Sequence, residues 1–254
     1  MNPSEIPGIT TDAGFLSYNA SSPDELALVN GARFLGVTYI GRDDTDNSVF
    51  KVDYKGQIRT FELLNTIEFS SSRKRMTSVF RDLASDKIVV MCKGADSVLL
   101  PLIRNQSDPK TNQLIDQTVT NMNTFAKEGL RTLLIVEKTM SEADYRNWNT
   151  LFTEAVNSIS DRESKVETCA KLLEIDFDLV GSTALEDKLQ DGVPDTIDMI
   201  RKAGIKLWVL TGDKIETAIN IGYACKLLDD HINQYIIDGQ RSNDVYKQLC
   251  IAEN

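Results

Sequence analysis

A chain of 254 residues, 41% hydrophobic and 26% charged, is long enough for one large or two modest domains with real cores, and its composition argues against wholesale disorder. The formal net charge of -10 denies it the broad basic face that nucleic-acid binding requires, so no nucleic acid is expected as a partner. An anionic ligand would need a local basic pocket.

Up to about Ala20 the chain is loop-like, broken by Pro3, Pro7, Gly8 and Gly14. From Pro23 the stretch PDELALVNGARFLG opens with a proline and two acids suited to a first helical turn, and it spaces Leu26, Val29 and Phe34 for one buried face. Alternating or β-branched runs follow, VTYIG, SVFKVDY, QIRTFELLNTIEF, MTSVFRD and KIVVMCKG, divided by turn-like clusters at 53–56 and 84–86; such short connections imply antiparallel meanders. A helix is expected over 112–127, with Ile115, Val119, Met122 and Ala126 on one face, and RTLLIVEKT follows as a strand. Two more helices are expected near 142–159 and 161–174, the second opened by a capping box of Ser160 and Glu163.

After Glu174 the pattern changes. FDLVGSTA, IKLWVLTGD and QYIIDG read as strands, with helices DGVPDTIDMIRKAG and KIETAINIGYACKLL between them, which is the alternation of parallel βαβ units. The fold class expected is therefore α+β, an antiparallel β-sheet flanked by helices followed by an incomplete Rossmann-like α/β segment. The first domain is placed at 1–177, with a lead-in over 1–17, and the second segment at 178–254.

Cys92, Cys169, Cys225 and Cys250 are too scattered for metal spacing and match reduced cytosolic thiols, and the lone histidine, His231, reads as a surface loop residue. No run approaches the roughly 18 apolar residues of a membrane-spanning helix, and the start shows no signal-peptide core.

Chemistry is expected at the carboxyl ends of strands in the βαβ portion, where helix N-termini attract phosphate. Thr211 and Gly212 occupy such a turn, together with Asp213, which can reach a magnesium ion or cap the helix. Asp176 and Asp178 form an Asp-x-Asp, yet they precede their apolar run rather than follow it; Asp187, beyond the same run, is better placed near a phosphate. Neither GxxxxGK[ST] nor GxGxxG occurs. In the meander, Lys74, Lys93 and Arg131 fall at strand ends beside small residues, and with Phe69 they suggest a pocket with a ring for a base and cations for phosphates.

Six stretches, SSPDELALV, EFSSSRKRM, CKGAD, EGLRTL, EDKLQDGVP and LTGDKIETAINIG, occur in the order in which the cytoplasmic region of P-type ATPases carries similar ones. The wording most resembles the phospholipid-transporting branch, the lipid flippases, from about Tyr18 to about Leu228. The resemblance implies an ATP-binding domain followed by part of a phosphorylation domain, with Mg2+ as companion ion. It also implies that Phe69 stacks on adenine, with Glu25 and Ser71 near the base and Lys93 deep in the pocket. Lys74 and Arg131 would approach the phosphate chain, and Thr211, Gly212, Asp213 and Asp187 would meet its terminal phosphate. Only Lys74 of the run 73–75 is placed for phosphate; strand alternation sends Arg73 and Arg75 to the other face, solvated or paired with acids.

The family's phosphorylation motif DKTGT and magnesium motif GDGxND are not in the sequence. The expectation is an excised piece on the cytoplasmic face of a membrane, which binds ATP without turnover. Its partners would be the remaining phosphorylation, actuator and membrane domains of the parent, through which alone it would meet lipid, and an accessory subunit of that parent. Two other readings stay open: a soluble haloacid-dehalogenase-type phosphatase using Asp176 and Asp178, and a non-catalytic interaction module.

Overall fold

The alternation in the first half of the chain becomes one continuous antiparallel sheet in the computed structural model. The structure describes residues 9–10, 16–20, 22–104, 106, 108–186, 188–212, 215–229, 231–239 and 241–253. Two short strands, β1 (Ile9–Thr10) and β2 (Leu16–Ser17), pair with each other and precede helix α1 (Pro23–Phe34). A five-strand meander follows as β3 (Val37–Arg42), β4 (Val49–Tyr54), β5 (Gln57–Ile67), β6 (Arg75–Asp82) and β7 (Lys87–Gly94). Its turns carry the expected chemistry: between β4 and β5, Lys55 and Gly56 take φ of 52° and 88°, and the Asp53 carboxylate accepts from the Gly56 amide at 2.7 Å.

Helices α2 (Asp96–Leu99) and α3 (Pro109–Lys127) lead to β8 (Arg131–Met140), and α4 (Glu142–Val156) and α5 (Arg162–Leu173) lead to β9 (Asp178–Leu185). The sheet order is β3-β4-β5-β6-β7-β8-β9 with every neighbour antiparallel. Held flat, seven strands would put the two edges about 29 Å apart. Helix α1, only about 18 Å long, nonetheless contacts both edge strands, β3 and β9, so the sheet curls around it.

The other face of the sheet carries the core. Val79, Ile88, Val90, Cys92, Leu134 and Val136 meet Met122 of α3, Trp148 and Phe152 of α4, and Ala170 and Leu173 of α5. The Trp148 indole donates to the Cys169 carbonyl at 2.9 Å, so its one polar group is satisfied inside. Met122 and Ala126 are buried on the face of α3 that the spacing marks out.

Several sequence expectations change. Phe34 is 91% exposed, because α1 ends there and Leu35 already turns out of the helix, so Val29 is its one buried residue. Helix α5 is not opened by Ser160: its N-cap is Asp161, in the left-handed conformation and without a side-chain cap bond. The strand expected from Phe177 forms as β9, but it joins the antiparallel sheet beside β8 instead of starting a parallel unit.

The chain divides into two compact units, Met1–Asp187 and Lys188–Asn254. In the second, α6 (Val193–Lys202), α7 (Ile215–Ala224) and α8 (Ser242–Glu253) form where amphipathic spacing predicts the first two. The stretches 205–212 and 234–239 show no strand pairing among the described residues. Strand propensity needs a partner ladder to become a strand, and here Trp208 and Leu210 lie exposed. No helix among the described residues is long and apolar enough to cross a membrane.

Candidate functional site: one edge of the sheet

Register brings the cations of the first unit to one edge of the sheet. Arg75 pairs with Gly94, Gly94 with Leu134, and Arg131 with Leu185, so the start of β6, the end of β7, the start of β8 and the end of β9 all lie there. The end of β5 joins them, since Ile67 pairs with Thr77. Phe69, Lys74, Lys93 and Arg131 are therefore carried on neighbouring strand ends. Phe69 is 60% exposed, so its ring is open to solvent, and Ser71 is exposed in the turn that follows.

Alternation then decides the face. Lys93 sits opposite Met76 and Ile135, and Ile135 shares its side of β8 with Arg131, so both cations point to the side that bears α1. The first turn of α1 supplies their counter-charges. Lys93 Nζ bonds Glu25 Oε1, and Arg131 donates to Asp24 Oδ2 at 3.2 Å. That turn is fixed by Ser22, whose hydroxyl accepts from the Glu25 amide at 3.2 Å, with Pro23 at the first helical position. The second carboxylate oxygen of Glu25 is buried and accepts no hydrogen bond among the described residues. Sequence reading missed Asp24 as a partner, although its place beside Glu25 in the first turn was the available signal.

Arg73 and Arg75 take the opposite, core-facing side and are paired with acids. Arg73 donates to Glu167 at 2.7 Å and to Glu174 at 2.5 Å, and Arg75 donates through Nε to Glu174 at 2.7 Å. The Thr77 hydroxyl adds a third bond to Glu174, whose side chain has no exposure to solvent. Burial works against the Arg73 charge, but Glu174 and Glu167 outweigh it and hold its pKa above the usual value. Between the arginines, Lys74 is exposed and left-handed at φ 51°, a conformation costing about 1–2 kcal/mol outside glycine. Its carbonyl accepts from Ala95 at 3.0 Å, and its ammonium has no hydrogen bond or ion pair among the described residues.

Asp176 and Asp178 lie at the other end of β9. Asp178 is held by Arg104 through two hydrogen bonds, one of 2.6 Å from Nε, and Asp176 is exposed. A groove of about 610 Å³ against Lys138, Trp148, Leu151 and Leu172 is also at that end and contains none of the cations at the α1 edge. In the second unit, Thr211 and Gly212 are exposed, with nothing within 4 Å of a Cβ built on Gly212. Asp187 and Asp213 lie outside the described residues. No group of three or more metal-ligating side chains occurs among the described residues.

The family model of the P-type ATPase cytoplasmic domain N matches residues 17–192. The chain is 42% identical over 244 residues to the phospholipid-transporting ATPase DRS2 of Saccharomyces cerevisiae, covering 96% of this chain and 18% of that protein. It is 45% identical over 237 residues to the phospholipid-transporting ATPase DNF1 of Chaetomium thermophilum, covering 92% and 15%. With the probable phospholipid-transporting ATPase 12 of Arabidopsis thaliana it shares 43% identity over 237 residues, covering 92% and 20%. The chain thus spans a small part of each relative's length.

Proposed function

The chain belongs to the P-type ATPases, matching their cytoplasmic domain N, and from that premise we propose that its first unit binds ATP in the hollow between α1 and the strand ends carrying Lys74, Lys93 and Arg131. The observation that carries this reading is the buried oxygen of Glu25 that has no donor among the described residues. A buried acceptor without a partner costs stability, and the exocyclic amino group of adenine is a donor of the right kind. Lys93, bonded to the same carboxylate, would be shared with the ligand. Phe69, exposed just past the end of β5, would stack on the base. Ser71 would lie near the base, and Lys74 and Arg131 would face the phosphates.

In this reading the unit Met1–Asp187 is the nucleotide-binding domain, and the rest is a segment of a phosphorylation domain whose Thr211, Gly212 and Asp213 would meet the terminal phosphate on closure, with Asp187, the last residue of the first unit, in support. Magnesium would arrive with the ATP phosphates. In a parent like the phospholipid-transporting relatives, on the cytoplasmic face of a membrane, that phosphate would pass to an aspartate supplied by the missing DKTGT motif and drive lipid movement. The parent's other domains and an accessory subunit would be its partners. The chain itself would hold ATP without turning it over, weakly, at high micromolar to millimolar Kd, which is about 4 to 6 kcal/mol.

Titration of ATP into the full chain, followed by amide chemical shifts, tests the reading. Saturable shifts centred on Phe69, Glu25 and Lys93 are expected. Saturation with shifts confined to residues far from the α1 edge would refute the pocket.

A further inference from the structure

We propose that Glu174, which caps the end of α5, is a positioning residue for Lys74, acting through the two arginines on either side of it; the proposal rests on the ATP reading above. Three cations, Lys74, Lys93 and Arg131, stand at the site edge, but they differ in how they are held. Lys93 and Arg131 are fixed by their own acid partners, Glu25 and Asp24. Lys74 has no such partner among the described residues, yet its backbone is held in the left-handed conformation that lysine disfavours.

The lock lies on the far side of the turn. Ser70 starts it: its carbonyl accepts from Arg73 at 3.1 Å and from Lys74 at 2.7 Å, and its hydroxyl accepts from the Arg73 amide at 3.2 Å. Arg73 and Arg75 then reach into the core-facing side of the sheet to one carboxylate. Glu174 receives Arg73 on one oxygen and Arg75 on the other, with Thr77 on the first, and Glu167 binds Arg73 a second time. Arg75 also donates to the Arg73 carbonyl at 3.3 Å, which closes the turn on itself.

Both guanidiniums are nearly buried, so neither arginine can turn outward without stranding Glu174 in the core. With residues 73 and 75 pinned inward, the chain has one way to pass between them, and the side chain of residue 74 faces solvent at the rim. Among the described residues the lysine is thereby presented without a competing carboxylate, ready for a ligand phosphate. Loosening Glu174 should let residue 74 leave the left-handed region and cost phosphate recognition while sparing the base.

The test is a double-mutant cycle on the full chain, with ATP and adenosine as the two probes. Lys74→Ala and Glu174→Gln are each expected to weaken ATP binding about fivefold and to leave adenosine within about twofold, and the double variant is expected to bind ATP no worse than either single one. The Cα shift of Lys74 should move out of the left-handed range in Glu174→Gln. Losses that multiply in the double variant, or an equal loss for adenosine, would overturn the positioning role. Should Glu174→Gln fail to fold, Glu167→Gln, which removes only the outer acid, is expected to give a smaller loss of the same ATP-selective kind; no loss there overturns the proposal. If the unmodified chain shows no saturable ATP binding, it is the ATP reading that falls, and the Lys74 Cα shift alone decides whether the lock exists.

Discussion

Gly94 lies against Lys74 so closely that a Cβ built on the glycine would stand 2.6 Å from the lysine's carbonyl oxygen and 2.6 Å from the Arg75 Cβ. Two of the partners at that distance or just beyond it are backbone atoms, so no rotamer change makes room. This explains the glycine of the CKGAD stretch as a packing requirement, and it ties the end of β7 to the turn that carries Lys74. Gly94→Ala is expected to destabilise the chain by about 1–3 kcal/mol, read from urea unfolding, and to shift the amides of Lys74 and Ala95. Wild-type stability in that variant would show that the two strand ends give way more easily than the geometry implies.

Phe69 offers the opposite case. Its ring is exposed, so removing it forfeits little burial, while a base stacked on it would lose its platform. Phe69→Ala is expected to change unfolding stability by less than about 0.5 kcal/mol and to weaken ATP binding about tenfold or more, a stacking contact being worth about 1–3 kcal/mol. Calorimetric unfolding and ATP titration on one sample separate the two. A variant that loses stability and keeps its ATP affinity would assign the ring to packing.

Local patterns made the first unit legible. Alternation located the strands and their turns, and the same alternation sent Arg73 and Arg75 away from Lys74, as the Glu174 pairing bears out. What the sequence hid was long-range. Nothing in the run 73–75 names Glu174 as its partner, since the acid lies 99 residues from Arg75 along the chain. Asp24 was hidden differently, as an ordinary first-turn acid. In the second unit the pattern predicts strands around Trp208 and Ile236, and the described residues there show no ladder, because β-branched runs specify a strand only when neighbours accept their hydrogen bonds.

The pair Asp176 and Asp178 bears on the phosphatase alternative. Asp178 is clamped by Arg104, and the two side chains are about half exposed, so the pair contributes at most about 1 kcal/mol. Arg104→Ala is therefore expected to leave unfolding within about 1 kcal/mol of the parent. Neither the chain nor Asp176→Asn is expected to release phosphate from p-nitrophenyl phosphate above background. Steady release from the chain, abolished in Asp176→Asn, would revive the phosphatase reading.

Cys92 makes the fold sensitive to alkali in a way that can be read directly. The thiol is buried on the core face of β7, and burial, partly offset by the neighbouring Thr77 hydroxyl and reinforced by the Glu174 charge, pushes its pKa up from 9.0 to about 12. Below pH 9.0 both folded and unfolded chains keep the proton, and the thiol has no effect on pH dependence. Between 9.0 and about 12 the unfolded chain releases it and the folded chain does not, so stability falls as pH rises through that window. Tyr18 and Tyr145, also raised by burial, act in the same direction, so the cysteine must be isolated by difference. Cys92→Ala is expected to begin less stable at pH 8, because of the cavity it leaves, and then to lose less stability than the parent by about pH 10.5. At pH 8 the parent's Cys92 should also resist iodoacetamide until urea is added, only about one thiol in ten thousand being ionised. Parallel stability curves for the two proteins, or rapid alkylation of the folded chain, would mean that this thiol is reached by water.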